Sequence, residues 1–174
     1  FPFELTEDQK KALNEILSDL RSARPMRRLL QGEVGSGKTA VAVLSSLLPI
    51  SNGFQVAFMV PTEILAEQHV RRFSVLLEKW GIKTVLFTGG VRGKRRKRNI
   101  EAIENGEAKL IIGTHALFYE GINFKNLAYV IVDEQQRFGV SQRARLYEKG
   151  EKVDFLLMTA TPIPRTLSLI HISE

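Results

Sequence analysis

An eight-residue segment, Gly32 to Thr39, constrains the fold of this chain more than any other feature. Its sequence, GEVGSGKT, has the spacing G-x-x-x-x-G-K-[ST] and stands between an apolar run that ends at Leu30 and an apolar stretch that follows Lys38. Glycines at this spacing let backbone N–H groups turn toward phosphate oxygens, and the N-terminus of a following helix adds positive potential. The segment therefore predicts a phosphate-binding loop between a strand and a helix, whereas a chance glycine-rich turn would need neither neighbour. The residues assigned to nucleotide binding are Gly32, Glu33, Val34, Gly35, Ser36, Gly37, Lys38 and Thr39.

Short apolar runs rich in β-branched residues alternate with longer amphipathic stretches along the chain. This alternation is typical of an α/β fold, and we expect a doubly wound, mostly parallel sheet with helices on both faces. The predicted strands are residues 28–31, 55–60, 83–87, 109–112, 129–132 and 155–158. The predicted helices are residues 6–21, 38–48, 63–80, 92–105 and 142–149, the first with Thr6 as its N-cap.

Composition narrows the class of protein. A length of 174 residues, with 44% hydrophobic and 25% charged residues, suits one folded domain and excludes an intrinsically disordered chain. The absence of cysteine excludes a disulfide framework and a thiol nucleophile, and it favours a cytoplasmic location. The three histidines lack metal-ligand spacing, the apolar runs are too short to span a membrane, and the net charge of +6 favours an anionic partner. The start at Phe1 without methionine predicts a fragment of a larger protein.

A second cluster of ionisable residues follows the apolar run 129–132. Asp133 and Glu134 stand at its carboxyl end, where ligands bind in open α/β sheets. Phosphoryl transfer needs a metal anchor and a group that orients the attacking water. We expect Thr39 and Asp133 to bind Mg²⁺. Lys38 would reach the β and γ phosphates of ATP, and Glu134 would act as general base on water, although a solvated acidic strand end is the alternative for the carboxylate pair.

Two segments resemble motifs of superfamily 2 helicases and translocases. Asp133 to Gln136 (DEQQ) is similar to their D-E-x-[HDQ] box, and Thr159 to Thr161 (TAT) is similar to their motif III. The resemblance implies a RecA-like P-loop NTPase domain in which Gln136, Thr159 and Thr161 couple the nucleotide state to the nucleic acid. The family usually has histidine at the position of Gln136. Glutamine keeps a donor and an acceptor but cannot be charged, so we expect the coupling to differ.

Three further segments resemble the motifs with which this superfamily contacts one nucleic-acid strand. They are 61–63 with Gln68, 88–90 and 113–115, and each follows a predicted strand. The resemblance implies contacts to phosphates that do not depend on base sequence. An ordinary helix N-cap is the alternative role for each threonine. The residues assigned to DNA binding are Pro61, Thr62, Gln68, Thr88, Gly89, Thr114 and His115.

Near the start of the chain, Phe3, Thr6 and Gln9 resemble the adenine-reading Q motif of the same superfamily. The resemblance implies that Gln9 reads adenine and that Phe3 stacks on it. A packing contact between Phe3 and the core is the alternative.

The most basic stretch of the chain is residues 92–98, RGKRRKR, at the start of a predicted helix. Cations at a helix N-terminus oppose the helix dipole, which destabilises the helix and attracts an anionic partner. The sequence leaves two roles open, a contact with phosphates or a solvated charged face.

A closer resemblance is to the branched-DNA helicases within the superfamily. It rests on residues 3–6 with Gln9, 113–117, 137–140 with 142–143, and 159–166 (TATPIPRT). It implies the first motor domain of an ATP-dependent DNA helicase that remodels forks and Holliday junctions, with a wedge domain and a second motor domain elsewhere in a longer chain. A transcription-repair coupling translocase, which shares RFGV and TATPIPRT, is the alternative within the superfamily.

Two readings from other classes stand beside the helicase. One is a nucleotide- and DNA-binding module that is not catalytic on its own, and the unusual Gln136 motivates it. The other, a small-molecule kinase, would leave the strand-contacting motifs without a role. The family also continues beyond Leu169 into another domain, so we interpret residues 171–174 as a truncated end that includes foreign residues.

Overall fold

The computed structural model describes residues 4–33, 35–133, 153–160 and 168–172. The helices within these ranges are α1 (Glu7–Arg21), α2 (Lys38–Ser51), α3 (Glu63–Glu78), α4 (Gly93–Glu104) and α5 (Ala116–Tyr119). The strands are β1 (Arg27–Gly32), β2 (Gln55–Met59), β3 (Lys83–Phe87), β4 (Ala108–Gly113), β5 (Leu127–Asp133), β6 (Asp154–Thr159) and β7 (Ser168–Ile172). Within the described ranges, no helix is both long and apolar enough to cross a bilayer.

The strands form one sheet in the order β3-β4-β2-β5-β6-β1-β7, and each ladder between neighbours is parallel. Parallel pairing places the carboxyl ends of all the strands at the same edge of the sheet. This edge is where open α/β sheets bind their ligands, so the loops that follow the strands are the places to look for a site. The fold class predicted from the sequence is confirmed.

Two hydrophobic cores cover the two faces of the sheet. Leu30 and Ile131 belong to the core beneath α1, α2 and α3, whereas their neighbours Leu29 and Val130 belong to the core beneath α4 and α5. Successive side chains of a strand point to opposite faces, so a strand covered on both faces must be apolar throughout. The buried strand β2 is apolar from Val56 to Met59, and its buried first residue, Gln55, donates hydrogen bonds from its side chain to Ile103 O and Ala108 O.

Threonine caps begin two of the helices. Thr6 Oγ1 accepts a hydrogen bond from Gln9 N at 3.2 Å, and Gln9 Oε1 accepts one from Thr6 N at 2.9 Å, which together form a capping box. Thr62 Oγ1 accepts a hydrogen bond from Leu65 N at 3.2 Å at the start of α3. The predicted N-cap role of Thr6 is confirmed.

The helices α2 and α3 end at residues other than those predicted. α2 was predicted to end at Leu48, yet it includes Pro49 and continues to Ser51. Pro49 is buried in the last turn of this helix. α3 was predicted to reach Trp80 but ends at Glu78. The predicted helix 142–149 lies outside the described residues.

Two elements were not predicted. α5 has four residues, which is too few to show a helical period. β7 pairs with β1, so that His171 lies beside Gln31 and Ile172 lies beside Gly32. His171 and Ile172 thus belong to the sheet, while the interpretation of residues 171–174 as a truncated end stays a prediction.

Candidate functional site

The loop between β1 and α2 has the backbone shape of an anion-binding site. Gly35 and Gly37 adopt positive φ angles of 88° and 85°, a conformation that disfavours residues with a Cβ atom. Gly37 is also the N-cap of α2, and no side chain among the described residues caps this helix. The first backbone N–H groups of α2 therefore remain without a side-chain acceptor. A helix N-terminus built in this way favours a bound anion. Val34, also assigned to nucleotide binding, lies outside the described residues.

Lys38 is the buried cation of this loop. Only 9% of its surface is exposed. Its Nζ donates hydrogen bonds to Gly32 O at 2.5 Å and to Glu33 O at 3.2 Å. No carboxylate of the described residues lies within ion-pair distance of Nζ. Because a buried charge is costly without a counter-ion, carbonyl partners alone leave this ammonium suited to an anionic ligand.

Ser36 adds a second polar group without a partner. Its Oγ is buried and has no hydrogen-bond partner among the described residues. Buried hydroxyls are almost always hydrogen-bonded in folded proteins, so this one is suited to a ligand oxygen. Thr39, in the first turn of α2, is partly exposed. The donors of this loop match a polyphosphate, and the Thr39 hydroxyl is a hard oxygen of the kind that Mg²⁺ prefers.

The strand register brings Asp133 to the same edge of the sheet as the loop between β1 and α2. Asp133 ends β5 and pairs with Met158 of β6, which in turn pairs with Leu30 of β1. Asp133 is therefore level with Leu30, Thr159 lies one residue further along, and the start of the loop at Gly32 lies two residues further along, across three adjacent strands. Neighbouring strands are about 4.8 Å apart, so β5 and β1 are separated by roughly 10 Å. Glu134, Gln136 and Thr161 lie outside the described residues.

Gln9 joins α1 to the phosphate loop. Its Nε2 donates a hydrogen bond to Ser36 O at 2.7 Å, while its Oε1 closes the capping box with Thr6. A Cβ atom added at Gly37 would lie 2.0 Å from Gln9 Nε2, so Gln9 packs directly on the loop. Both ends of its amide thus contact protein atoms. The adenine contact of Gln9 stays a prediction, and Phe3 lies outside the described residues.

The predicted DNA-binding residues lie at the carboxyl ends of three adjacent strands. Thr62 follows β2, Thr88 follows β3 and Thr114 follows β4. Thr88 and Thr114 are 1% and 5% exposed, and their carbonyls accept hydrogen bonds from Val91 N and Leu117 N in tight turns. These two threonines therefore shape the turns from inside. The exposed members of the predicted set are Thr62, Gln68, Gly89 and His115, with Pro61 partly exposed.

Glu63 lies within one of the strand-contacting motifs, and the sequence alone indicates no role for it. Its Oε1 accepts a hydrogen bond from Gly90 N at 3.0 Å, which ties the start of α3 to the loop after β3. A Cβ atom added at Gly90 would lie 2.8 Å from Glu63 Oε2. Glu63 thus fixes the spacing between two of the loops assigned to DNA. An acidic residue directly after a threonine cap was the only signal for it, and that pattern is common in helices.

Comparisons with known proteins agree with this arrangement. The DEAD/DEAH box helicase family matches residues 6–170. The ATP-dependent DNA helicase RecG of Borreliella burgdorferi is 58% identical over 97% of this chain and 24% of its own length, and that of Bacillus subtilis is 52% identical over 99% of this chain and 25% of its own length.

Solved structures give the same result. A structure of RecG bound to a three-way DNA junction matches with a TM-score of 0.82 and 49% identity, over 95% of this chain and 22% of that one. The helicase MrfA bound to DNA has a TM-score of 0.71 at 16% identity, over 100% of this chain and 30% of that one, and so shares the fold alone. The chain spans about a quarter of the length of the RecG relatives.

Proposed function

Because the chain belongs to the DEAD/DEAH box helicase family, we propose that it is the first RecA-like motor domain of a RecG-type, ATP-dependent DNA helicase that remodels forks and Holliday junctions. The resemblance to branched-DNA helicases is confirmed by the identity of 58% to one RecG. The single observation that carries the catalytic part is the start of α2, which has no side-chain cap and where the buried Lys38 ammonium has only carbonyl partners among the described residues.

The residues of the loop bind the triphosphate of ATP. The N–H groups of α2 and the loop donate hydrogen bonds to phosphate oxygens. Lys38 exchanges its carbonyl partners for the β and γ phosphates. Thr39 and Asp133 would hold Mg²⁺, which neutralises phosphate charge when it is bound. Gln9 already donates a hydrogen bond to the loop, so its side chain responds when a nucleotide binds there.

Hydrolysis and its coupling are assigned to the carboxyl ends of β5 and β6. Glu134 orients the attacking water and takes its proton, while Gln136, Thr159 and Thr161 relay the nucleotide state. Thr159 supports the assignment, because it is fully buried at the end of β6 between the strands that carry Asp133 and the phosphate loop.

DNA lies along the ends of β2, β4 and β3. Thr62, Gly89 and His115 are exposed there, and backbone N–H groups at these turns contact phosphates without reading bases. The buried Thr88 and Thr114 hold the turns in place. We call the row formed by Thr62, Gly89 and His115 the DNA track. It lies at the same edge of the sheet as the phosphate loop, which is the physical basis for coupling DNA binding to ATP binding.

A complete motor needs more than this domain. We propose that a second motor domain supplies an arginine finger and the other wall of the ATP site, and that a wedge domain contacts the branch. An arginine finger contributes about 10³ to 10⁵ in rate in related phosphoryl transfer. The 174-residue chain alone should therefore bind ATP but hydrolyse it weakly or not at all.

The test is ATP turnover, with and without forked DNA, by this chain and by the full-length helicase that we propose contains it. We expect DNA-stimulated turnover only in the longer protein. Glu134→Gln in the longer protein should reduce turnover by two orders of magnitude or more, consistent with the roughly 10² to 10⁴ of general-base catalysis. Glu107→Gln, an equal change at an exposed residue before β4, serves as the control and should leave turnover unchanged.

Two outcomes would contradict the proposal. Unchanged turnover in the Glu134→Gln protein would remove that residue from the mechanism. ATP binding without turnover in both proteins would instead favour the noncatalytic nucleotide- and DNA-binding module.

A further inference from the structure

The first turns of α4 carry an unusual concentration of exposed positive charge. Six of the seven residues from Arg92 to Arg98 are Lys or Arg. Five of them are exposed and have no acidic partner among the described residues, and we call these the α4 basic surface. They are Arg92, Lys94, Arg95, Lys97 and Arg98. The first turn of α4 contains no acidic residue, and its N-cap makes no side-chain hydrogen bond. Helix electrostatics therefore oppose this arrangement.

The sixth basic residue, Arg96, has a different role. Its guanidinium forms an ion pair with Glu120 after α5, lies 4.7 Å from the centroid of the Phe87 ring, and donates a hydrogen bond to Val91 O at 3.3 Å. A second anchor is Asn99, whose Nδ2 donates to Leu86 O at 2.7 Å. These contacts hold α4 against the sheet. The structure thus separates one basic residue that packs α4 from five that face solvent.

The position of the α4 basic surface indicates its partner. α4 follows the loop that contains Gly89 and Gly90, and Glu63 fixes that loop beside the start of α3. β3 is the edge strand of the sheet, and four strands separate it from β1 and the phosphate loop. The surface therefore extends the DNA track outward, away from the nucleotide. Residues 92–98 of a helix cover about 9 Å, which equals two to three phosphates along one DNA strand.

We propose that the α4 basic surface binds the phosphate backbone of DNA and continues the strand-contacting track beyond the edge of the sheet. The inference rests on the proposed helicase function and adds an interaction surface to it. The contacts are ionic and independent of sequence, because Lys and Arg at this surface meet phosphates rather than base edges. They contribute to the salt dependence of DNA binding and leave nucleotide binding unaffected.

The experiment replaces four of these residues together, Lys94→Gln, Arg95→Gln, Lys97→Gln and Arg98→Gln, in the full-length helicase. Affinity for forked DNA is measured across a range of salt concentrations. Each phosphate contact contributes about 0.9 to the slope of log affinity against log salt, so two to three lost contacts should reduce the slope by about 2 to 3. Affinity near physiological salt should fall about tenfold or more.

The control removes the same amount of charge elsewhere, with Lys11→Gln, Arg24→Gln, Lys79→Gln and Lys125→Gln at exposed positions. This variant should keep a slope close to that of the unmodified protein. Thermal unfolding separates binding from folding. The α4 variant should unfold at an equal or higher temperature because cations leave a helix N-terminus, whereas Arg96→Gln should lower the unfolding temperature.

Each outcome has a definite meaning. If the α4 variant and the control have the same slope and affinity, the inference is wrong while DNA binding by the unmodified protein still supports the proposed function. If the unmodified protein does not bind DNA at all, the proposed function itself fails. A smaller slope confined to the α4 variant, with nucleotide affinity unchanged, supports the inference.

Discussion

The N-termini of α2 and α3 lie at the same edge of the sheet, yet they are built in opposite ways. α3 begins at Thr62, whose hydroxyl accepts a hydrogen bond from Leu65 N, and Glu63 in its first turn bonds to Gly90. α2 begins at Gly37, which offers no side-chain cap, and its first residue is the buried Lys38. The start of α3 is capped by its own chain, whereas the start of α2 has no side-chain acceptor among the described residues and favours a ligand anion.

This contrast supports the different roles that we propose for the loops before α2 and α3. A helix start that is capped by its own chain can contact a nucleic acid without the strong positive charge that would hold the nucleic acid in one position. An uncapped helix with a buried cation binds polyphosphate more strongly but is less stable without it. Removing the distinctive group from each helix in turn tests the difference.

The largest effect is expected from Lys38→Ala in the full-length helicase. The substitution removes the ammonium that we propose meets the developing charge on the phosphates, and loss of one such group typically reduces turnover about 10² to 10³-fold. Thr62→Ala, at the matching place on α3, should leave turnover without DNA unchanged. Steady-state ATP hydrolysis measures both, and equal losses in the two proteins would erase the distinction between the helices.

The next effect concerns the glycines beside the two helices. Gly37→Ala places a Cβ 2.0 Å from Gln9 Nε2 at a φ of 85°, and it should destabilise the fold by about 2 to 3 kcal/mol. Gly90→Ala meets only the flexible end of Glu63, so its cost should be below about 1 kcal/mol. Urea denaturation of this chain measures both. Adding Gln9→Ala to Gly37→Ala should recover part of the loss, and no recovery would mean that the clash is unimportant.

The third effect concerns His69 of α3. The start of this helix is capped, but the side chain of His69 is buried with an unsatisfied nitrogen among the described residues. His69 is buried between the Phe58 and Phe73 rings, and its Nε2 has no hydrogen-bond partner among the described residues. Burial, with a smaller contribution from the Arg72 charge, lowers the pKa of His69 from 6.5 to about 4. The unfolded chain therefore binds a proton more readily than the folded one between these values.

Stability should consequently fall as the pH drops from about 6.5 toward 4, by about 2 kcal/mol for this group. The measurement is the free energy of unfolding at several pH values for the unmodified chain and for His69→Leu. The leucine variant should lose less stability with acid because it lacks the titrating ring. Parallel pH profiles for the two proteins would show that His69 does not titrate in this way.

The smallest effect is expected at the cap of α3. Thr62→Ala removes the acceptor of Leu65 N and should cost about 1 kcal/mol, while Thr62→Ser should retain most of the stability. No equivalent substitution exists at α2, whose cap is already a glycine. Thermal unfolding of the two variants decides whether the hydroxyl or the methyl group of Thr62 matters.

Much of the fold could be predicted because the strands are buried on both faces. Leu29 and Leu30 face different cores, so the strand must be apolar at successive positions, and such runs are visible in a sequence. α5 was too short to show a period, and β7 depends on pairing with β1, from which it is far removed along the chain. α2 continues past its predicted end at Leu48 and includes the buried Pro49, although proline disfavours a helix.

The candidate site divides in the same way. The motif from Gly32 to Thr39 was correctly predicted to lie between a strand and a helix, and Asp133 was correctly placed at a strand end, while their roles in binding stay predictions. Spacing did not predict that Thr88 and Thr114 would be buried, since exposure depends on how the turns pack. The contacts of Gln9 with Ser36 and of Glu63 with Gly90 each join segments 27 residues apart.

The sequence by itself determined the loop that we propose binds phosphate, the position of Asp133 at a strand end, the order of most strands and helices along the chain, and the family to which the chain belongs. These features depend on residue type and short spacing, which are written directly in the chain. Only the tertiary structure decided that Arg96 packs α4 while its five basic neighbours face solvent. The six basic residues look alike in the sequence, and only the positions of Glu120 and Phe87, brought close by the parallel sheet, make Arg96 different.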